Sequence, residues 1–312
     1  MLGGNMAVEV SRTRRTGSLY DRYQRRLAPY IFISPFYILF IVFFVGPVFF
    51  GLYTSFTEWT GLGWPRWVGL RNYIFMLTID DVFNQAFINS VIYVVGNQLL
   101  VIPTGLIAAL ALNAAWLRFK DAFRVIYFIP VLTTGVVVSI VFTLLYSKDY
   151  GFLNFVVRLA GFPPIDWVGD PIAAKIAIII VMIWRRFGFT MVFFLAGLQA
   201  IPHEIIEAAM VDGANRWQVF RYVTLPLLRP IILFVLITGI IGAFQTFEEP
   251  FLITQGGPSN ATLSLAQYLY SQGFAFGRLS YAATIGVALF VVIFVLSFIQ
   301  MRWFGALRDE EA

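Results

Sequence analysis

Four ionisable side chains stand inside long apolar stretches of the chain. Arg185 and Arg186 lie in one stretch, and Glu248 and Glu249 lie in another. If both stretches are helices with a rise of about 1.5 Å per residue, Arg185 lies about 17 Å and Glu248 about 9 Å below the outer ends of their helices. Charged groups at such depths are costly and usually face a protein interior. The four groups therefore either pair with one another or line a functional pathway, and the two alternatives can hold for different members.

The sequence is poor in the residue types that carry covalent and metal chemistry. Among its 312 residues there is no Cys and a single His, His203. Thiolate metal sites and Cys nucleophiles are thereby excluded, and a His-based metal site or triad is not expected. We predict no catalytic residue and no metal site, which argues against a membrane-embedded enzyme.

The overall composition is that of a membrane protein. Hydrophobic residues make up 59% of the chain and charged residues 12%, whereas soluble domains average about 45–50% and about 25%. Apolar runs of about 20 residues predict transmembrane helices, and their length excludes barrel strands of about 10 alternating residues. We predict an all-α polytopic fold with six spans: 30–53, 87–112, 123–146, 174–198, 230–254 and 282–304.

The distribution of basic residues gives an orientation. Of the 22 Lys and Arg residues, 14 lie in the tail 1–29, the segments 113–124 and 199–229, and the end of the chain, which includes the tail 305–312; six lie on the other side. Cytoplasmic segments carry the excess of Lys and Arg. We therefore expect both termini to be cytoplasmic, and we expect no nucleic-acid binding by the basic tail.

The predicted cytoplasmic segment 199–229 contains two short helical runs. The first, 203–212, follows Pro202, and Gly213 is a natural helical stop. The second, 215–224, would be broken by Pro226. The apolar residues of segment 199–229 are more numerous than a solvated loop needs. This segment therefore either lies on the membrane surface or docks against a cytoplasmic partner.

This segment contains Glu207-Ala208-Ala209, then Asp212-Gly213-Ala214, then Leu225-Pro226. The spaced pattern resembles the EAA loop of ATP-binding-cassette importer permeases. Further motifs are similar to those of the carbohydrate-import branch, in particular the first permease subunit of maltose and glycerol-3-phosphate systems: 196–202 (AGLQAIP), 254–258 (TQGGP), 55–57 (SFT) and 69–73 (GLRNY). The resemblance covers residues 28–304 and implies the fold of type I importers.

The resemblance implies a set of partners. These are a second permease subunit, two cytoplasmic ATPase subunits, an extracytoplasmic solute-binding protein and a carbohydrate substrate, in the inner membrane of a bacterium or archaeon. Residues implied to couple to the ATPase are Glu207, Ala208, Ala209, Asp212 and Gly213. The chain has no phosphate-binding loop G-x-x-x-x-G-K-[ST], so ATP and Mg²⁺ would be bound by the partners and no cofactor by this chain.

The same resemblance places a sugar pathway in the middle of spans four and five. The candidate residues are Arg185, Arg186, Phe189, Gly242, Ala243 and Thr246, to which we add Glu248 and Glu249. The arginines replace uncharged residues of the maltose pattern, and Ala243 and Thr246 replace amides, so maltose specificity does not carry over. A sugar phosphate or anionic sugar is an alternative substrate. An ion-gradient-driven secondary transporter is a less favoured alternative, since no clear inverted repeat is present.

Overall fold

The computed structural model describes residues 19–114 and 117–304, so most of the predicted N-terminal tail and all of the predicted C-terminal tail lie outside the described residues. The described chain is mostly helical, which confirms the all-α prediction. Its helices are α1 Leu19–Phe40, α2 Gly46–Ser55, α3 Arg71–Thr78, α4 Asp81–Asn113, α5 Lys120–Leu132, α6 Gly135–Leu145, α7 Phe152–Leu159, α8 Pro171–Gln199, α9 His203–Val211, α10 Arg216–Val219, α11 Leu225–Leu227, α12 Arg229–Phe244, α13 Leu265–Tyr270 and α14 Leu279–Trp303.

π-Helical turns and one short ribbon complete the secondary structure. The π-helical turns are Ile41–Val45, Phe220–Thr224, Pro250–Thr254 and Ser271–Ala275. Strands β1 Thr57–Glu58 and β2 Arg66–Trp67 pair antiparallel, with Thr57 opposite Trp67. The described residues form two compact units that divide between Gly51 and Leu52.

Helices long and apolar enough to cross a membrane occur at four of the predicted spans. They are Leu27–Ser55, α4, α8 and α14, and two further spans result if each of two bent helix pairs, α5 with α6 and the helix Arg216–Leu227 with α12, is one crossing. The structure therefore agrees with six spans, two of which are not straight.

The larger unit is built around α4 and α8, which pack along each other, with α12 against both. Ala86, Ala109, Ala174 and Ala177 in these helices are fully buried. Small side chains let helix backbones approach closely. Lipid tails are as apolar as the helix surfaces, so close packing, and not the hydrophobic effect, holds membrane helices together. This close-packed frame holds the charged residues of α8 in position.

The third span differs from its prediction as one continuous helix over 123–146. Thr133 and Thr134 have extended backbone dihedrals, and α5 and α6 meet at 98°. Thr133 Oγ1 donates to the Ile129 carbonyl at 3.1 Å. This bond replaces the backbone amide bond that the Ile129 carbonyl would accept in a continuous helix. The break follows the end of α5, which contains Pro130, and α6 begins at Gly135.

The fifth span, predicted over 230–254, is also interrupted. Helix α12 ends at Phe244, and residues 245–247 are not helical. Pro250 has no amide hydrogen to donate to the Thr246 carbonyl four residues earlier, and Ser264 Oγ donates to that carbonyl instead, at 2.7 Å. The break therefore lies just before Pro250.

The segment 215–224 continues further than predicted. The helix that starts at Arg216 runs through Pro226 to Leu227 and bends by 62° into α12. Pro226 lies near the start of α11. The π-helical turn Phe220–Thr224 just before it accommodates the hydrogen bond that Pro226 cannot donate, so the helix continues. The short helices α3, α7 and α13 in the predicted outer loops were not predicted.

The loop that follows the fifth span is fixed to the start of α4. Asn89 Nδ2 donates to the carbonyls of Asn260 and Leu263, and Tyr93 Oη donates to Thr262 O at 2.8 Å. Nearby, the Asp80 carboxylate accepts from the hydroxyls of Tyr268 and Tyr281. Burial, followed by the hydrogen bond to Asp80, raises the pKa of Tyr268 well above its usual range, so this phenol remains a donor throughout the physiological pH range.

Candidate functional site

A cavity of about 510 Å³ lies between α8, the end of α12 and the end of α5. Its lining combines charged, polar and aromatic side chains. The lining residues are Val131, Met182, Arg185, Arg186, Phe189, Thr238, Gly242, Gln245, Thr246, Phe247, Glu248 and Glu249.

Helical periodicity explains which side chains reach the cavity from α8. Met182, Arg185, Arg186 and Phe189 follow one another at intervals of three, one and three residues, which places them on one face of the helix. On α12, Thr238 and Gly242 share a face for the same reason, and Gln245, the residue that follows the last one of α12, lies close to that face. The non-helical turn after Phe244 then directs the chain along the cavity, so that four consecutive residues, 246–249, contribute to its lining.

Arg185 is neutralised by both glutamates. Its Nη1 lies 3.4 Å from Glu248 Oε2 and also contacts Glu249 Oε1. Thr246 Oγ1 donates to the second oxygen of Glu249 at 2.8 Å. The Glu249 side chain is 6% exposed and that of Glu248 40%. Glu249 is thus a buried partner of Arg185 that accepts a hydrogen bond on each carboxylate oxygen, whereas Glu248 is partly exposed and lines the cavity.

Arg186 is held differently. Its Nη1 donates to the Thr238 carbonyl at 3.0 Å, and among the described residues no carboxylate lies within 4.0 Å of its guanidinium. A methyl group added at Gly242 would overlap this guanidinium, so the glycine creates the space into which Arg186 fits. A guanidinium has five N–H donors, which leaves several for a bound molecule.

Two glycines lie in close contact with the charged side chains. Gly242 contacts Arg186, and Gly135 contacts Glu248 and Arg185. A methyl group at Gly135, the first residue of α6, would overlap the Glu248 carboxylate and Arg185 Nη1. The break in the third span therefore places a residue without a side chain directly against the ion cluster. The bends in spans three and five thus meet at the charged end of the cavity.

The cavity is equipped to bind a polar molecule. Arg186 and Gln245 supply donors, Glu248 and Gln245 supply acceptors, and Phe189 and Phe247 supply ring faces. In the part of the chain that the structure describes, no group of three or more His, Asp or Glu side chains could hold a metal ion. Such a lining can hydrogen-bond to polar groups and stack its rings against a flat face of a bound molecule.

The structure gathers the residues predicted for the pathway, with one exception. Arg185, Arg186, Phe189, Gly242, Thr246, Glu248 and Glu249 all line the cavity, whereas Ala243 is fully buried in the helical core. Residue 243 lies about 100° around the helix from Gly242, on the face that packs on α4.

Sequence reasoning missed Thr238, Gln245, Phe247, Met182 and Val131. The spacing of Thr238 and Gln245 from Gly242, four and three residues, could have identified the first two. No sequence signal marks Val131, because it reaches the cavity through the bend between α5 and α6.

The five residues predicted for coupling lie together on an exposed helix–turn–helix segment. Glu207, Ala208 and Ala209 are on α9, Asp212 follows its last residue, and Gly213 has φ of +87°, a left-handed conformation that favours glycine.

The next helix begins at a well-defined cap. Asn215 accepts from Gln218 N at 2.9 Å while Gln218 Oε1 accepts from Asn215 N at 2.8 Å, a reciprocal capping box. Trp217 and Tyr222 are 68% and 73% exposed, and a groove of about 310 Å³ runs beside Gly213. This segment presents apolar surface and no described residue covers it.

Comparison with known proteins gives one family and several relatives. Residues 101–307 match the model of the binding-protein-dependent transport system inner membrane component family. The chain is 35% identical over 290 residues to an arabinooligosaccharides transport system permease protein of Bacillus subtilis, covering 92% of each protein. It is 39% identical over 288 residues to a lactose transport system permease protein of Rhizobium radiobacter, covering 90% of this chain and 94% of the relative.

A solved structure has the same fold. A chain in the crystal structure of a bacterial ABC transporter involved in the import of the acidic polysaccharide alginate superimposes with a TM-score of 0.80. The superposition covers 93% of this chain and 99% of that chain at 23% identity. At that identity the likeness establishes the arrangement of helices.

Proposed function

Since this chain belongs to the family of binding-protein-dependent transport system inner membrane components, we propose that it is the permease subunit of an ATP-driven sugar importer. It forms half of a translocation pathway through the membrane, and a second permease subunit forms the other half. An external solute-binding protein delivers the sugar, and two cytoplasmic ATPase subunits drive the cycle.

The observation that carries this proposal is the extent of similarity to sugar permeases. The arabinooligosaccharide and lactose relatives match this chain over at least 90% of its length and of theirs. The cavity supports the same function, because its donors, acceptors and aromatic rings suit a molecule rich in hydroxyl groups.

Within the cavity we assign two roles to the charged residues. Glu248, Arg186 and Gln245 contact the sugar, with Phe189 and Phe247 providing ring faces, and Thr246 and Gly242 shape the site. Arg185 and Glu249 form the structural pair that holds these residues in place. This division is supported by the burial of Glu249 and the partial exposure of Glu248. Ala243, behind the lining, has no contact with the sugar.

The exposed segment around Gly213 is assigned to ATPase docking. Its apolar side chains and the groove beside Gly213 suit a partner protein, and Glu207, Ala208, Ala209, Asp212 and Gly213 are its central residues. This segment then lies on the cytoplasmic side, which puts both termini in the cytoplasm. The chain itself catalyses no reaction, and ATP with Mg²⁺ is bound by the ATPase subunits.

Removing the Glu207 carboxylate tests the docking assignment. Glu207 is exposed on α9, so Glu207→Ala leaves folding and membrane insertion unchanged. Because coupling free energies between sites correspond to about 5–150-fold effects, we expect at least about a fivefold loss of sugar-stimulated ATPase activity. The measurement uses the reconstituted complex of both permeases, the ATPases and the binding protein.

Glu204→Ala is the matched control, since Glu204 is an exposed carboxylate on the same helix and should leave stimulation unchanged. Affinity purification of the wild-type chain should also bring down an ATPase and a second permease. Normal stimulation in Glu207→Ala would remove the docking assignment. Sugar transport by this chain without any ATPase would overturn the proposed function.

A further inference from the structure

The exposed segment around Gly213, formed by α9 and α10, is called the coupling segment below. Helix α12 connects it to the charged end of the cavity. At its start the chain bends by 62° from the helix Arg216–Leu227. At its end it passes into the turn that carries Thr246, Glu248 and Glu249. Within the fold described above, a displacement of α9 and α10 therefore reaches the cavity turn along α12. The contacts between α12 and its neighbours determine how much of this displacement reaches the turn that carries Glu248 and Glu249.

A buried amide from α4 holds α12 near its middle. Gln98 is 8% exposed, and its Nε2 donates to the Leu236 carbonyl at 2.9 Å. That carbonyl lies inside α12, so it already accepts from the helix, and the Gln98 bond adds a link between helices. A methyl group at Gly239 would overlap the Gln98 amide. Gln98 therefore occupies a notch in α12 that only glycine leaves open.

A second notch repeats the arrangement three residues further along α12. There, Arg186 of α8 fits against Gly242 and donates to the Thr238 carbonyl at 3.0 Å. Two neighbouring helices thus each insert one polar side chain against a glycine of α12 and bond to its backbone. A shift of α12 by one residue would rotate its face by about 100°, which would replace both glycines by bulkier side chains.

We propose that Gln98, seated against Gly239, is a positioning residue that fixes the axial register of α12 against α4. With its register fixed, α12 moves as a rigid element and carries the displacement of the coupling segment to the Glu248–Glu249 turn. Without this link, part of the displacement is lost as sliding of α12 along α4. This inference rests on the proposed function, since it concerns how transport is coupled to ATP hydrolysis.

The test uses two single variants and their combination. Gln98→Met keeps the length of the side chain but removes the donor. Gly239→Ala displaces the Gln98 amide, which is the flexible end of its side chain, so the backbone need not move. Interhelical hydrogen bonds in membranes are modest, and we expect sugar transported per ATP hydrolysed to fall about threefold in each variant. The double variant should fall no further, because both changes remove the same link.

Gly51→Ala is the matched control, because a methyl group there meets none of the described residues within 4 Å, and it should keep the wild-type ratio. Thermal unfolding of the purified complex is measured alongside. A wild-type ratio in Gln98→Met and Gly239→Ala overturns the inference, including the case in which only the melting temperature falls. Additive losses in the double variant also overturn it.

The outcome for the coupling segment separates this inference from the proposed function. If Glu207→Ala uncouples transport while the Gln98 and Gly239 variants do not, the proposed function stands and the positioning role is wrong. If Glu207→Ala leaves coupling intact, the docking assignment fails independently of Gln98.

Discussion

At the scale of single residues, the neighbouring carboxylates Glu248 and Glu249 have different surroundings. Glu249 is buried, with one oxygen on Arg185 and the other on Thr246. Glu248 is 40% exposed and lies 3.4 Å from the same guanidinium. Removing one partner of a buried pair leaves an uncompensated charge, which costs much more than breaking an exposed pair. These surroundings support the proposed division, in which Glu249 gives structural support and Glu248 contacts the substrate.

We expect Glu249→Gln to destabilise the protein by about 3 kcal/mol and Glu248→Gln by less than about 1 kcal/mol. Denaturant titration in detergent measures both. Glu248→Gln serves as the matched control, since it is the same change one residue earlier. It should raise the sugar concentration needed for half-maximal transport, whereas equal destabilisation by the two variants would contradict the division of roles.

The limits of sequence reasoning at this scale are visible in Ala243 and Gln245. Motif alignment selected Ala243, but a motif gives a position along the chain and not a direction around the helix. Helical spacing from Gly242 would have selected Gln245 instead. The charged residues could be found from sequence because any charge in an apolar run is exceptional.

At the scale of elements, the breaks in spans three and five form the cavity. Apolar run length gave the number and approximate ends of the spans, since about 20 residues are needed to cross the hydrocarbon. It could not give the breaks, because the carbonyls freed there are satisfied by side chains from elsewhere. Ser264, which bonds to the Thr246 carbonyl, lies 18 residues away in the chain.

Close approach of α5 to α8 at Gly188 gives a test at this scale. A methyl group at Gly188 would overlap the backbone carbonyl of Tyr127. Since a backbone cannot yield as a flexible side chain does, we expect Gly188→Ala to destabilise the protein by about 1–3 kcal/mol. Thermal unfolding in detergent measures this, with Gly51→Ala as the control that should leave the melting temperature unchanged or slightly raised. An unchanged melting temperature in Gly188→Ala would contradict the packing of these helices.

At the scale of the whole molecule, Gly213 sets the angle between α9 and α10, and the proposed docking role makes this angle important for coupling. Gly213 and Gly161 have nearly the same φ, +87° and +84°, and a methyl group at either meets nothing within 4 Å. Alanine at either position should therefore cost about 1–2 kcal/mol of backbone strain.

Only Gly213→Ala should change coupling, since Gly161 lies in a predicted outer segment. We expect sugar-stimulated ATPase activity in the reconstituted complex to fall at least about fivefold in Gly213→Ala and to remain near wild type in Gly161→Ala. Equal activities in the two variants would show that the angle at Gly213 has no special role in coupling.

The cluster of two guanidinium and two carboxylate groups has a consequence for energetics across the bilayer. Moving one elementary charge through a membrane potential of about 100 mV requires about 2.3 kcal/mol. Because the formal charges of Arg185, Arg186, Glu248 and Glu249 sum to zero, these four groups carry no net charge through the electric field when they move together. We therefore expect this cluster to add no voltage dependence to the uptake of a neutral sugar.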